Sequence, residues 1–166
     1  LALAVTKSRW VPKASIMFNK ILIVCVGNVC RSPMAEALLR DKLSLHYNNV
    51  EIDSAGLGAL VNHSADQTAQ ILMLEKNIDI SNHKGKQISS DMIAQFDLIL
   101  VMEKDHINGI HSISPSAKGK VHLLGKWSEF EIPDPYKQPR HQFELALDLI
   151  ERGVNEWAEK IWPDKD

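Results

Sequence analysis

The apolar residues of this 166-residue chain change their spacing along its length, and each change marks an element. Ile21 to Val26 is an unbroken apolar run rich in β-branched residues, the pattern of a strand buried on both faces of a parallel sheet. Pro33 follows where the first turn of a helix accepts it, and Met34, Ala37, Leu38 and the later Leu45 mark one face of a helix reaching about His46. A second strand is predicted over Val50 to Ala55, ended by Gly56 and Gly58. Ala65 to Asn77 reads as a helix with Ala69, Leu72 and Lys76 at helical spacing, and Ser89 to Gln95 as a shorter one. Asp97 to Val101 forms the third strand, Lys104 to Ile113 a further helix, and Lys120 to Leu124 the fourth strand. Phe143, Leu147, Ile150, Val154, Trp157 and Ile161 recur at intervals of three and four, which predicts a long closing helix whose stripe faces the core.

Strands alternating with helices predict an α/β fold: a single three-layer domain with a four-stranded parallel sheet flanked by helices and right-handed crossovers. In such folds ligands bind beyond the carboxyl ends of the strands. The loop between the first strand and the first helix therefore becomes the first place to look for chemistry. Residues 1 to 16 show no sustained period, with Lys7, Arg9 and Lys13 breaking up the apolar positions, and read as an N-terminal extension, flexible or vector-derived. Met17 is the expected natural start, and residues 17 to 166 form the one domain.

Composition narrows the classes further. The chain is 45% hydrophobic and 24% charged, the mix of a globular protein, and 19 basic against 21 acidic residues leave no excess of positive charge for a nucleic-acid backbone. Any anion must be captured locally. The longest apolar runs, Ile21 to Val26 and Leu98 to Met102, fall far short of the ~20 residues of a membrane-spanning helix. Two cysteines are too few for a disulfide framework or a four-cysteine zinc site and fit a cytoplasmic protein. The seven histidines are scattered, with no metal-ligand spacing, and neither a metal nor a cofactor is expected.

The loop Cys25-Val26-Gly27-Asn28-Val29-Cys30-Arg31-Ser32-Pro33 has the parts of an anion cradle. Gly27 and Asn28 tolerate left-handed backbone angles, so a short loop can curl with successive N–H groups pointing inward. It opens onto a helix N-terminus, where orphan N–H groups and the dipole favour a dianion. Arg31 offers a planar fork matched to two phosphate oxygens, and the same positive field favours the ionised, nucleophilic form of a thiol at the base, Cys25. The reaction then needs an acid for the leaving group. Asp134 in Ile132-Pro133-Asp134-Pro135-Tyr136 is the candidate: three of the seven prolines lie between Pro133 and Pro139, and so stiff a loop loses little entropy in holding a carboxyl over a site. Tyr136 supplies an aromatic wall. Leu57 to Val61, with Leu60, is the expected opposite wall.

Together these residues resemble the low-molecular-weight protein-tyrosine phosphatase family. The likeness rests on the loop from Cys25 to Pro33, on Ser54-Ala55-Gly56, on His83 in His83-Lys84-Gly85-Lys86-Gln87-Ile88, and on Asp134-Pro135-Tyr136, and it covers Phe18 to Trp162. Other cysteine-based phosphatases usually carry His before the nucleophile and the acid upstream; here Val24 precedes Cys25 and the acid follows. The resemblance implies that Cys25 attacks phosphorus while the N–H groups of Val26, Gly27, Asn28, Val29 and Cys30 and the Arg31 guanidinium hold the oxygens. It implies that Asp134 serves as acid and then base, that Ser32 donates to the Cys25 thiolate, and that Asn28, Ser54 and His83 form a network holding the loop. It also implies a reversible disulfide between Cys25 and Cys30.

Gly56-Leu57-Gly58-Ala59-Leu60-Val61 resembles the bacterial subgroup that acts on tyrosine autokinases controlling exopolysaccharide export, so a phosphotyrosine protein, such as an autokinase, is the implied partner. Gly85-Lys86 stands where relatives commonly carry Ala-Arg, and Lys137 where eukaryotic members often have a second Tyr. Two rivals share the loop. A protein-arginine phosphatase resembles it but carries Thr where Val29 stands, and a thiol-coupled arsenate reductase needs cysteines beyond Cys25 and Cys30.

Overall fold

In the computed structural model, residues 18–163 are described; the predicted extension lies outside the described residues. Four parallel strands, β1 (Lys20–Cys25), β2 (Glu51–Gly56), β3 (Leu98–Val101) and β4 (Val121–Leu123), form one sheet in the order β2-β1-β3-β4. Their register places Val24 opposite both Ala55 and Val101, and Cys25 opposite Gly56. Four α-helices lie in the connections, α1 (Arg31–Leu43), α2 (Gln67–Leu74), α3 (Ser90–Gln95) and α4 (Lys104–Ile113), and α5 (Arg140–Ile161) follows β4.

The side-chain alternation of β1 explains the three layers. Ile21, Ile23 and Cys25 face a core built with Met34 and Leu39 of α1, Met73 of α2, and Phe143, Ile150, Val154 and Trp157 of α5. Leu22 and Val24 face the opposite core, with Ile93 of α3 and Ile110 of α4. Both faces are buried, which is why the strand reads as continuous apolar sequence rather than as alternation. The chain leaves β1 to one side for β2 and returns on the other for β3, so the strand order reverses beside β1. Ligand crevices of open α/β sheets lie at such a reversal, beyond the strands' carboxyl ends.

The helix boundaries depart from the pattern in two places. α1 ends at Leu43, so Leu45 never completes the turn that would stack it over Met34; it is 81% exposed, and Leu39 and Leu43 fill the buried face instead. α2 begins at Gln67, capped by Asp66 Oδ1 on the Thr68 N–H at 2.8 Å, and stops at Leu74, short of the predicted Asn77. Asn77 takes a left-handed φ of 61°, which closes the segment, and Lys76 lies beyond the helix, paired with Glu151 of α5. The predicted stripe of α5 is buried throughout, from Phe143 to Ile161.

Candidate active site

The loop leaving β1 is a ring whose carbonyls all point outward. Cys25 O accepts from Leu57 N, Val26 O from Gly58 N, Gly27 O from Leu60 N, Val29 O from Asp66 N and Cys30 O from Met34 N, at 2.8–3.3 Å. Asn28 O completes the set by accepting from His83 Nε2 at 2.6 Å; a carbonyl only accepts, so the His83 proton sits on Nε2. In a planar trans peptide the N–H of the next residue opposes the carbonyl. Turning these carbonyls out therefore turns the N–H groups from Val26 to Arg31 in, and the Asn28 N–H reaches Cys25 Sγ at 3.3 Å. Such a concave array of donors at the start of α1 is suited to an anion.

The ring's curl rests on one residue. Asn28 has φ 58° and is fully buried, and its side-chain amide is fully employed: Nδ2 donates to Ser32 Oγ at 2.7 Å and Ser54 Oγ at 3.0 Å, while Oδ1 accepts from Lys86 N at 2.9 Å. Because Ser32 Oγ accepts from Asn28, its own proton is free for Cys25 Sγ, 2.9 Å away. Gly27 does not adopt the left-handed angle expected of it, and a Cβ there would meet Val29 at an ordinary 3.5 Å. The close approaches lie elsewhere. A Cβ at Gly56 would overlap Val26 O, and one at Gly85 would overlap Leu60 O, so a side chain at either position would force the backbone to shift.

Arg31 is 1% exposed, and its guanidinium is oriented by groups from two other loops. Nη1 donates to Glu103 Oε2 at 2.7 Å, just beyond β3, and to Ile132 O at 2.8 Å. Nη2 lies 3.6 Å from Asp134 Oδ2. Ile132 N donates to the carbonyl of Met102, the residue that follows β3, and Asp134 Oδ1 accepts from Tyr136 N at 3.1 Å. The proline-rich loop thus brings its carboxyl to the mouth of the ring. A cavity of about 150 Å³ opens there, lined by Cys25, Val26, Gly27, Val29, Cys30, Arg31, Gly58, Leu60, Asp134 and Tyr136. Leu60 and Tyr136 form its walls as expected; Gln87 braces the Leu60 side by bonding Ala59 N and Leu57 O, both at 2.9 Å.

Burial pushes the Cys30 thiol well above its ordinary range, and Asp66 and Cys25 add to the effect, so Cys30 stays a neutral thiol beside the ring. Of the predicted residues, Cys25, Val26, Gly27, Asn28, Val29, Cys30, Arg31, Ser32, Ser54, Leu60, His83, Asp134 and Tyr136 all come together. The sequence pattern did not point to Glu103, His106 or the Ile132 carbonyl. Glu103 lies two residues past β3, where the carboxyl-end rule could have flagged it. Among the described residues, no group of three His, Cys, Asp or Glu side chains is arranged to hold a metal ion, and no helix is long and apolar enough to cross a membrane.

Comparison with known proteins gives consistent findings. The family described as "Low molecular weight phosphotyrosine protein phosphatase" matches residues 20–166. The low molecular weight protein-tyrosine-phosphatase Wzb of Salmonella typhimurium is 47% identical over 146 residues, 87% of this chain and 95% of that protein. The structure of Vibrio vulnificus Wzb in complex with benzylphosphonate superposes with a TM-score of 0.81 at 42% identity, covering 86% of this chain and 99% of that one. The YwlE arginine phosphatase of Geobacillus stearothermophilus superposes with a TM-score of 0.79 at 34% identity, covering 86% and 92%.

Proposed function

The chain belongs to the low molecular weight protein-tyrosine-phosphatase family, and from that premise we propose that it hydrolyses protein phosphotyrosine through a cysteinyl-phosphate intermediate, with a bacterial tyrosine autokinase as its partner. The observation that carries the reading is the ring of inward N–H groups around Cys25 Sγ, closed by Arg31 and overhung by Asp134.

In the first step Cys25 Sγ attacks phosphorus, the S–P bond forms, and the P–O bond to the phenol breaks. The departing oxygen takes the electron pair and a proton from Asp134. The loop N–H groups and Arg31 stabilise the equatorial oxygens as charge builds on them. In the second step water attacks phosphorus and gives a proton to the Asp134 carboxylate; the S–P bond breaks, its electron pair returns to sulfur, and inorganic phosphate leaves. The Ser32 hydroxyl, free to donate, stabilises the departing thiolate. Glycine-thin Gly58, apolar Leu60 and Tyr136 make a narrow slot suited to a phosphoaryl group. Val29 offers no hydroxyl in that slot, which favours phosphotyrosine over phosphoarginine. The cytoplasm is the proposed site of action.

The test is turnover of phosphotyrosine, phosphoserine and phosphoarginine peptides side by side, for the parent chain and Cys25→Ser. Phosphotyrosine turnover that Cys25→Ser abolishes, with phosphate binding retained, is the expected result. Preferential hydrolysis of phosphoarginine, or a Cys25→Ser variant of undiminished rate, overturns the reading. An autokinase left phosphorylated under conditions that clear a phosphotyrosine peptide removes it as partner.

A further inference from the structure

Arg31 can capture a phosphoryl group in two ways, end-on through both terminal nitrogens or side-on through Nε and Nη2, and its surroundings select between them. Both N–H bonds of Nη1 are already committed, one to Glu103 Oε2 and one to Ile132 O. Three of the five donors remain, on Nε and Nη2, and two of them, the Nε–H and one Nη2–H, lie side by side along one edge of the planar group. Nη2 is the nitrogen beside Asp134 at the cavity. The choice of edge therefore depends on where Glu103 holds its Oε2; the Glu103 side chain is 36% exposed, and its anchorage comes from the start of α4, where it forms a capping box with His106.

His106 supplies the constraint. It lies in the first turn of α4, only 5% exposed, and its Nδ1 accepts from the Glu103 N–H at 3.3 Å. An accepting nitrogen carries no proton, so in the neutral ring the proton is on Nε2, which lies 3.2 Å from the same Glu103 Oε2 that receives Arg31. One carboxylate oxygen thus takes both donors, and the Glu103 N–H fixes the imidazole tautomer that makes this so. We propose that His106 is a positioning residue for phosphate capture, acting through Glu103 to hold Arg31 with its Nε–Nη2 edge toward the ring. This rests on the reading of Arg31 as the phosphoryl-binding group. Burial and the nearby Arg31 charge keep the ring below the ordinary histidine range, against Glu103, Asp105 and Asp134, and so favour the neutral form the arrangement needs.

His106→Leu removes both contacts of the ring, whereas His106→Gln keeps an acceptor for the Glu103 N–H and a donor for its carboxylate. Binding of inorganic phosphate by calorimetry, together with KM and kcat for an aryl phosphate, separates the roles. His106→Leu is expected to weaken phosphate binding and raise KM about tenfold, the effect of misplacing one charged hydrogen bond, with kcat changed less than about threefold. His106→Gln is expected within about twofold of the parent in both. Unchanged phosphate affinity in His106→Leu, or equal losses in the two variants, overturns the proposal. Nitrogen NMR of the parent provides a check that needs no substitution: a ring protonated on Nδ1, or charged at neutral pH, also overturns it. Because phosphate affinity is read without turnover, a chain that binds phosphate but fails to hydrolyse aryl phosphates would contradict the proposed function and leave this inference standing.

Discussion

Asn28 does more for the site than any residue that would touch substrate. It provides the left-handed turn, three amide hydrogen bonds, and the carbonyl that His83 holds outward. Asn28→Ala is expected to cost about 2–4 kcal/mol, from stranded buried partners and a strained φ, and to lower turnover at least a hundredfold. Thermal unfolding and steady-state kinetics check this; a variant of parental stability would mean that the ring is shaped by its outward carbonyls alone. Gly27→Ala is the matched control. Its backbone needs no special angle and its Cβ meets only Val29, so its melting temperature is expected to stay within a few degrees of the parent. Cys25, Arg31 and Asp134 were legible in the sequence because each sits in a local motif whose chemistry is stated by its neighbours. Glu103 and His106 were not, since a Glu and a His at a helix start look like ordinary surface residues until β3 sets them against Arg31.

Between elements, the site is a junction of four loops, those that follow β1, β2, β3 and β4. Gly56 ends β2 pressed against the ring, and the segment from Leu57 to Leu60 then donates three N–H groups to its carbonyls. Gly56→Ala is expected to push Val26 out and weaken phosphate affinity at least tenfold, read by calorimetry; unchanged affinity would show that the ring tolerates displacement. Ile150→Ala in α5 tests the opposite case. It deletes fully buried atoms that do not line the cavity and is expected to cost about 2–5 kcal/mol while leaving KM unaltered. A KM that rises with the loss of stability would mean that the ring depends on α5 packing. The strand and helix types were all readable from spacing, because burial on one or both faces imposes its own period. The ends of α1 and α2 were not, since Leu45 and Lys76 keep helical spacing after the helix has stopped, and caps rather than periodicity decide where that happens.

For the molecule as a whole, pH acts on stability through two histidines, His106 buried and His122 half-buried. His106 is held below the ordinary range first by burial and then by Arg31, and His122, its ring tilted against Trp157, first by burial and then by Lys126. A depressed histidine means that the unfolded chain takes up the proton first. Their stabilisation is complete above the unfolded value of about 6.5 and is lost as pH falls through the lower folded values. The unfolding free energy of the parent is therefore expected to fall more steeply below pH 6.5 than that of His106→Gln; parallel denaturation curves across that window would show that His106 is not linked to folding. Hydrophobic period and local backbone chemistry act over a few residues, and they suffice to write the alternation of strands and helices and the phosphate loop into the chain. The orientation of Arg31 and the approach of Asp134 lie beyond their reach. Both depend on segments about 70 to 100 residues apart meeting where the strand order reverses, and no local pattern encodes that meeting.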